Sequence, residues 1–216
     1  NEDWFAYNYT NTSAFTSVRD VVDATIDPEN PDHVYLGCLG RGLIEMNGGV
    51  CTEIWNDSNS SLEVRCDAPT SGFCGVFGSA FDDSGNLWVT NTLGTNPLSV
   101  RKKDGSWQNF NFGSLINCIA LGQIVVTPEG QKWIVLPRGQ GILVFDENDT
   151  WTATDDSYKK LSTAAGQGGL PSSEVYSLAF DEDGEIWVGT DKGIAVFYSP
   201  EDIFSTLFDS DSKGTG

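Results

Sequence analysis

The 216-residue chain has one histidine, His33, and one methionine, Met46. A Ser/His/Asp set needs a base beside its nucleophile, and one histidine in a predicted hairpin gives little to build it from. The same scarcity removes the common Cys/His zinc sites, and none of the five cysteines forms a CxxC pair. Positive charge is also sparse: 12 Lys and Arg stand against 31 Asp and Glu, a formal net charge of −19. That balance argues against nucleic acid or an anionic membrane surface as a partner. The longest apolar run, around 118–126, is too short to span a bilayer. Heptads and a sustained 3.6-residue period are missing too. With 24 glycines and frequent aromatics, this favours an all-β chain.

No leader peptide is recognisable, and the chain opens at Asn1 in sequence that already looks structured, so a mature product or an excised piece is expected. Cys38, Cys51, Cys66, Cys74 and Cys118 are irregularly spaced. Cys66 and Cys74 flank a loop-like stretch and could join in an oxidising compartment. Buried or free thiols fit the pattern equally well.

What the chain does have is a repeated meander. Residues 177–197 read SLAFDEDGEIWVGTDKGIAVF, apolar–polar alternation broken twice by Asp/Gly clusters. Alternation puts side chains on opposite faces of a strand, and glycine supplies the positive φ of a tight turn, so three antiparallel strands are predicted. The pattern returns at 79–101 and 123–145, and in a more divergent form at 24–46. The aromatic of its middle strand recurs as Tyr35, Trp88, Trp133 and Trp187, at intervals of 45 to 54 residues. That period, with strand–turn–strand content, belongs to propeller blades. A second aromatic follows each of the first three after 18 to 20 residues, as Trp55, Trp107 and Trp151.

The expected fold is therefore a single β-propeller segment over 1–216, with repeats near 18–56, 74–112, 118–156 and 174–208. Each blade has four strands with aromatics on the second and fourth, filling the wedge between blades. Trp4 would mark a strand over 1–15 left from a preceding blade. With the polar tail 209–216, this points to about four blades of a larger, seven-bladed ring. The Ser/Gly/Thr-rich stretches 57–73 and 155–173 read as the long connections between blades, where binding residues are expected.

Candidate chemistry is thin. Asp181 with Asp183, and Asp82 with Asp83, offer oxygen ligands beside a turn glycine, but the remainder of a calcium loop is missing and the sister turns lack paired carboxylates. They read as hairpin turns, with no metal and no cofactor. Gly166-Gln167-Gly168-Gly169 lacks the lysine of a phosphate loop and reads as a plain loop. A carbohydrate enzyme built on two carboxylates is not ruled out by counting, yet no spacing singles out a pair.

The run GGLPSSEVYSLAFDEDGEIWVGTDKGIAVF, residues 168–197, closely resembles the two-component regulator propeller repeat of Bacteroidetes. Within that superfamily, 15–46, NLWVTNT, QKWIV and the VFYSPEDIFS ending look like a surface protein of the type IX secretion system. The resemblance covers nearly the whole chain; it departs where Tyr35-Leu36-Gly37-Cys38 replaces Trp-Ile-Gly-Thr. It implies a non-enzymatic cell-surface or extracellular component whose partners are proteins of an outer-membrane attachment complex and lipopolysaccharide or another glycan. The competing implication is a periplasmic glycan-sensing propeller of a hybrid sensor kinase; a propeller lyase or glycosidase is the enzyme alternative. The shared residues are structural, so no catalytic residue carries over. Phe73 and Tyr158 are the candidate stacking platforms in the connecting loops.

Overall fold

The structure, a computed structural model, describes residues 4–18, 20–206, 211, 213 and 214. Among these residues, sixteen strands form four antiparallel meanders. The first is β1 (Val21–Asp27), β2 (Asn30–Gly40), β3 (Gly42–Asn47) and β4 (Val50–Trp55). The second is β5 (Cys74–Phe81), β6 (Leu87–Thr92), β7 (Leu98–Arg101) and β8 (Trp107–Phe110). The third is β9 (Ile124–Val126), β10 (Lys132–Leu136), β11 (Gly141–Asp146) and β12 (Ser157–Leu161). The fourth is β13 (Val175–Phe180), β14 (Ile186–Thr190), β15 (Gly193–Phe197) and β16 (Lys213–Gly214). Among the described residues helical structure is confined to short 3-10 turns, so the all-β propeller fold expected from the repeat is the one observed. Gly85, Gly130 and Gly184 take φ of 80–89° in the turns between first and second strands, a conformation a Cβ would oppose.

The first strands neighbour one another in chain order, β1 with β5, β5 with β9 and β9 with β13, and no contact of that extent joins β1 to β13 among the described residues. The four blades thus form an open arc. Three hydrophobic clusters lie between successive blades, and a fourth packs Phe15 against blade one. Trp88 packs with Ile124, Ile134 and Phe145 of the third blade, and Trp133 with Leu178, Ile186 and Val188 of the fourth. Both indoles are 0 % exposed. Trp187, the next in the series, is only half-buried.

Several boundaries differ from the sequence reading. Blades three and four run past 156 and 208, to Leu161 and Gly214. Trp151 is not on an outer strand; it sits in the β11–β12 connection and stacks on Trp88 at 6.2 Å. That connection is lengthened by Asn148 and Asp149, both at positive φ, so the strand starts six residues later than the tryptophan suggested. Stretch 155–173 is accordingly not all loop, since β12 lies within it. Residues 4–12 carry no strand and Ser13–Ser17 is a 3-10 turn, so the strand expected over 1–15 is not observed at the described positions. An outer strand needs a third strand to pair with, and the described residues before Val21 offer none. Residues 1–3, and the tail 209–216 apart from Asp211, Lys213 and Gly214, lie outside the described residues.

Candidate functional site

A meander with this topology sends its connections to two opposite faces. One face carries the first-to-second and third-to-fourth strand turns; the other carries the second-to-third turns and the long crossings between blades. Backbone bonds tie the second group together. Cys66 N–H donates to the Leu93 carbonyl at 2.9 Å, and Gly141 N–H to that of Ser173 at 2.9 Å. Asp191 N–H likewise donates to the Glu174 carbonyl at 3.2 Å.

The first-to-second strand turns hold Asp27, Glu29, Asp82, Asp83, Glu129, Asp181 and Asp183. The second-to-third turns instead present exposed Arg41, Arg138 and Lys192. Exposed Asp57, Asp67 and Asp191 share that face, and Lys102 and Lys103 lie on the other, so both faces mix the two signs.

Structure corrects the cysteine reading. Cys66 pairs with Cys118, with Cα atoms 5.9 Å apart, and not with Cys74. The crossing 57–73 lies beside the turn at Leu93, and Leu93 N–H donates to the Ile119 carbonyl at 2.9 Å. The neighbour across the gap is thus the next crossing, not the following strand. Cys74 is buried on β5, and burial pushes its thiol up to about 12; burial lifts Cys38 to about 11. Thiols held so high present little thiolate and are unreactive.

The acidic turns serve the fold. The Asp181 carboxylate accepts from the N–H groups of Asp183 (3.0 Å) and Glu185 (2.9 Å) and from the Trp187 indole N–H (2.6 Å). Asp82 does the same for Asn86 (2.8 Å) and Trp88 (2.9 Å). An Asp six residues before the tryptophan was a readable signal in both copies, and the turn interpretation missed its indole partner. The Glu185 N–H bond, followed by the indole, holds the Asp181 carboxyl below its ordinary value of 3.8. A depressed carboxyl stabilises above its unfolded value and loses that contribution as pH falls through the folded one. Trp187 fluorescence is therefore expected to change in acid below that value, and Asp181→Asn to remove the step. An unaltered acid titration in the variant would contradict this role.

Between blades two and three lies a polar cavity of about 530 Å³, lined by Asp82, Asp83, Glu129, Asp149, Trp151 and the pair Lys132–Glu147. Lys132 is buried, ion-paired with Glu147, and its ammonium stands 4.0 Å from the centre of the Trp88 ring. Burial pushes Lys132 down and Glu147 up, each opposed by the other's charge. Lys132 holds the register position filled by Leu87 and Ile186 in the neighbouring blades, so this pair replaces an apolar contact. Buried pairs repay their desolvation poorly. Lys132→Met with Glu147→Leu is expected to leave stability unchanged or raise it by about 1–4 kcal/mol in urea melts. A clear loss would show that the charges are needed.

The two stacking candidates are on different blades. Phe73 is half-buried at the start of the second, with the Arg65 guanidinium 5.3 Å above its ring. Tyr158, 44 % exposed, is on β12, outside the loop proper. Its ring meets Phe112 edge-on at 5.3 Å and lines an open depression of about 660 Å³ with Leu115, Lys159, Lys160 and Gln167. Beside it, the glycine-rich loop makes an anion nest: the N–H groups of Gly166 and Gly168 donate to the Asp211 carboxylate at 2.8 and 2.9 Å. Among the described residues, no group of three or more His, Cys, Asp or Glu is placed to hold a metal ion.

The two-component regulator propeller repeat matches residues 169–192 by sequence. No curated protein matches the chain. Among solved structures, it is similar to PorZ, an essential surface component of the type IX secretion system of Porphyromonas gingivalis. The match has a TM-score of 0.75 and 23 % identity over 89 % of this chain and 27 % of that one. The extracellular domain of a protein described as a hybrid two-component system of Bacteroides thetaiotaomicron matches with TM-score 0.59 and 19 % identity, over 84 % and 22 %. Virginiamycin B lyase of Staphylococcus aureus follows at 0.55 and 15 %, over 82 % and 55 %. The chain spans about a quarter of the length of the first two. At these identities the likeness establishes the propeller fold.

Proposed function

We propose that the chain is a non-catalytic binding segment of a bacterial surface propeller, acting in a type IX secretion attachment complex through protein partners and lipopolysaccharide or another glycan. The observation that carries this reading is the extent of the PorZ similarity, which takes in 89 % of the chain at TM-score 0.75. The Cys66–Cys118 bridge supports a location in an oxidising compartment, at the cell surface or in the periplasm. No helix among the described residues is long and apolar enough to cross a membrane. The Tyr158 depression suits a sugar ring packed on the exposed phenol. Seven blades in the whole ring remain part of this reading.

A second reading, a glycan-sensing propeller of a hybrid sensor kinase, is favoured by the repeat match at 169–192 and by the similarity to the B. thetaiotaomicron domain. One experiment separates them. The purified chain is used as bait in native envelope extract and, separately, titrated with purified lipopolysaccharide and oligosaccharides. The attachment reading expects recovery of outer-membrane proteins, and lipopolysaccharide binding reduced about tenfold by Tyr158→Ala with an unchanged melt. Oligosaccharide binding with no protein recovered favours the sensor. Glycan turnover by the chain would overturn both.

A further inference from the structure

The glycine-rich loop, a plain connection by sequence, holds an anion in the structure. Gly166, Gly168 and Gly169 take φ of 73°, 102° and 52°, left-handed conformations that turn backbone N–H groups toward one point. Both oxygens of the Asp211 carboxylate are met there, one by Gly166 N–H at 2.8 Å and the other by Gly168 N–H at 2.9 Å. An added Cβ at Gly169 would come within 3.1 Å of the Asp211 carboxyl carbon, so the missing side chain gives the anion its room.

Asp211 is foreign to this loop. It lies 45 and 43 residues along the chain from its two donors, just before β16, whose Lys213 and Gly214 pair with Val196 and Ala195. A carboxylate from another blade therefore fills a cradle that fits two oxygens of any phosphate or carboxylate.

The cradle adjoins the Tyr158 depression, since Gly166 lines that depression too. Its wall carries Lys159 and Lys160 and no Asp or Glu. The cavity between blades two and three is the reverse, with Asp82, Asp83, Glu129, Glu147 and Asp149 around Lys132. In a chain of 31 acidic and 12 basic residues, a wall with two ammonium groups beside two converging N–H groups favours a negative guest.

We propose, building on the sugar reading of this depression, that its ligand is an acidic sugar, a ring bearing a phosphate or a carboxylate, and that Asp211 is the chain's own stand-in for the acidic group. The ring packs on the exposed phenol, its substituent takes the Gly166 and Gly168 N–H groups, and Asp211 leaves. Asp211 is thus a built-in competitor. It lowers the apparent affinity for acidic sugars according to the fraction of chains in which it fills the nest, and a neutral sugar gains nothing by displacing it.

Calorimetric titration with glucose 1-phosphate, glucuronate, glucose, inorganic phosphate and lipopolysaccharide, intact and dephosphorylated, tests this. One of the two acidic sugars is expected to bind at least about tenfold tighter than glucose. Asp211→Ala should tighten that binding about tenfold more and leave glucose unchanged. Tyr158→Ala should weaken both. Asp211→Asn, which keeps one acceptor for the nest, should shift affinity the same way and serves if the alanine variant melts early. If phosphate is the acidic group, dephosphorylation should weaken lipopolysaccharide binding; if carboxylate, it should not. Acidic sugars held no tighter than glucose overturn the proposal and leave the sugar reading standing. So does an affinity that the folded Asp211 variants fail to raise. Inorganic phosphate bound as tightly as the acidic sugars, and untouched by Tyr158→Ala, overturns it as well. If no probe binds, the sugar reading fails and the proposal with it.

Discussion

Trp133→Ala should destabilise the chain by about 3–5 kcal/mol, the range for removing a fully buried large aromatic. The indole lies in the joint between blades three and four, against Phe197 and among Leu178, Ile186 and Val188, where no side chain can move in to fill the space. The same change at the repeat-equivalent Trp187 should cost clearly less, because that indole is only half-buried. Urea melts of the two variants, followed by far-ultraviolet circular dichroism, make the comparison. Equal losses would mean that the aromatic acts within its own blade and not across the joint.

Removing the Cys66–Cys118 bridge should cost about 4 kcal/mol, the chain-entropy expectation for a loop closed across a separation of 52 residues. The bridge crosses from the connection before blade two to the connection before blade three, so it clamps two blades and not one hairpin. A double serine variant should melt lower than the oxidised chain and no longer respond to reductant. The wild type should respond strongly. An oxidised chain whose melt is indifferent to reductant would show that the backbone bonds through Leu93 hold the two crossings unaided.

Local pattern was enough to read the blades. Alternation, Asp/Gly turns and the recurrence of Tyr35, Trp88, Trp133 and Trp187 are consequences of strand geometry and turn chemistry, which act over a few residues. The outer strands were harder. Trp151 drew the fourth strand of blade three to itself, whereas Ser157–Leu161, polar on a solvated edge, carries almost no apolar signal. The strand expected around Trp4 is not seen at the described positions, where no described third strand offers it a ladder.

The sequence by itself determined that this is an all-β propeller chain of four repeats, because each blade is specified by contacts between residues close along the chain. Only the tertiary structure decided what meets across the blades. It paired Cys66 with Cys118, set Lys132 over Trp88, covered Phe73 with Arg65 and left Tyr158 open beside a nest filled by Asp211. These contacts join positions far apart in the chain. Their geometry depends on the angle between neighbouring sheets and on the path of the crossings, and neither leaves a period in the sequence.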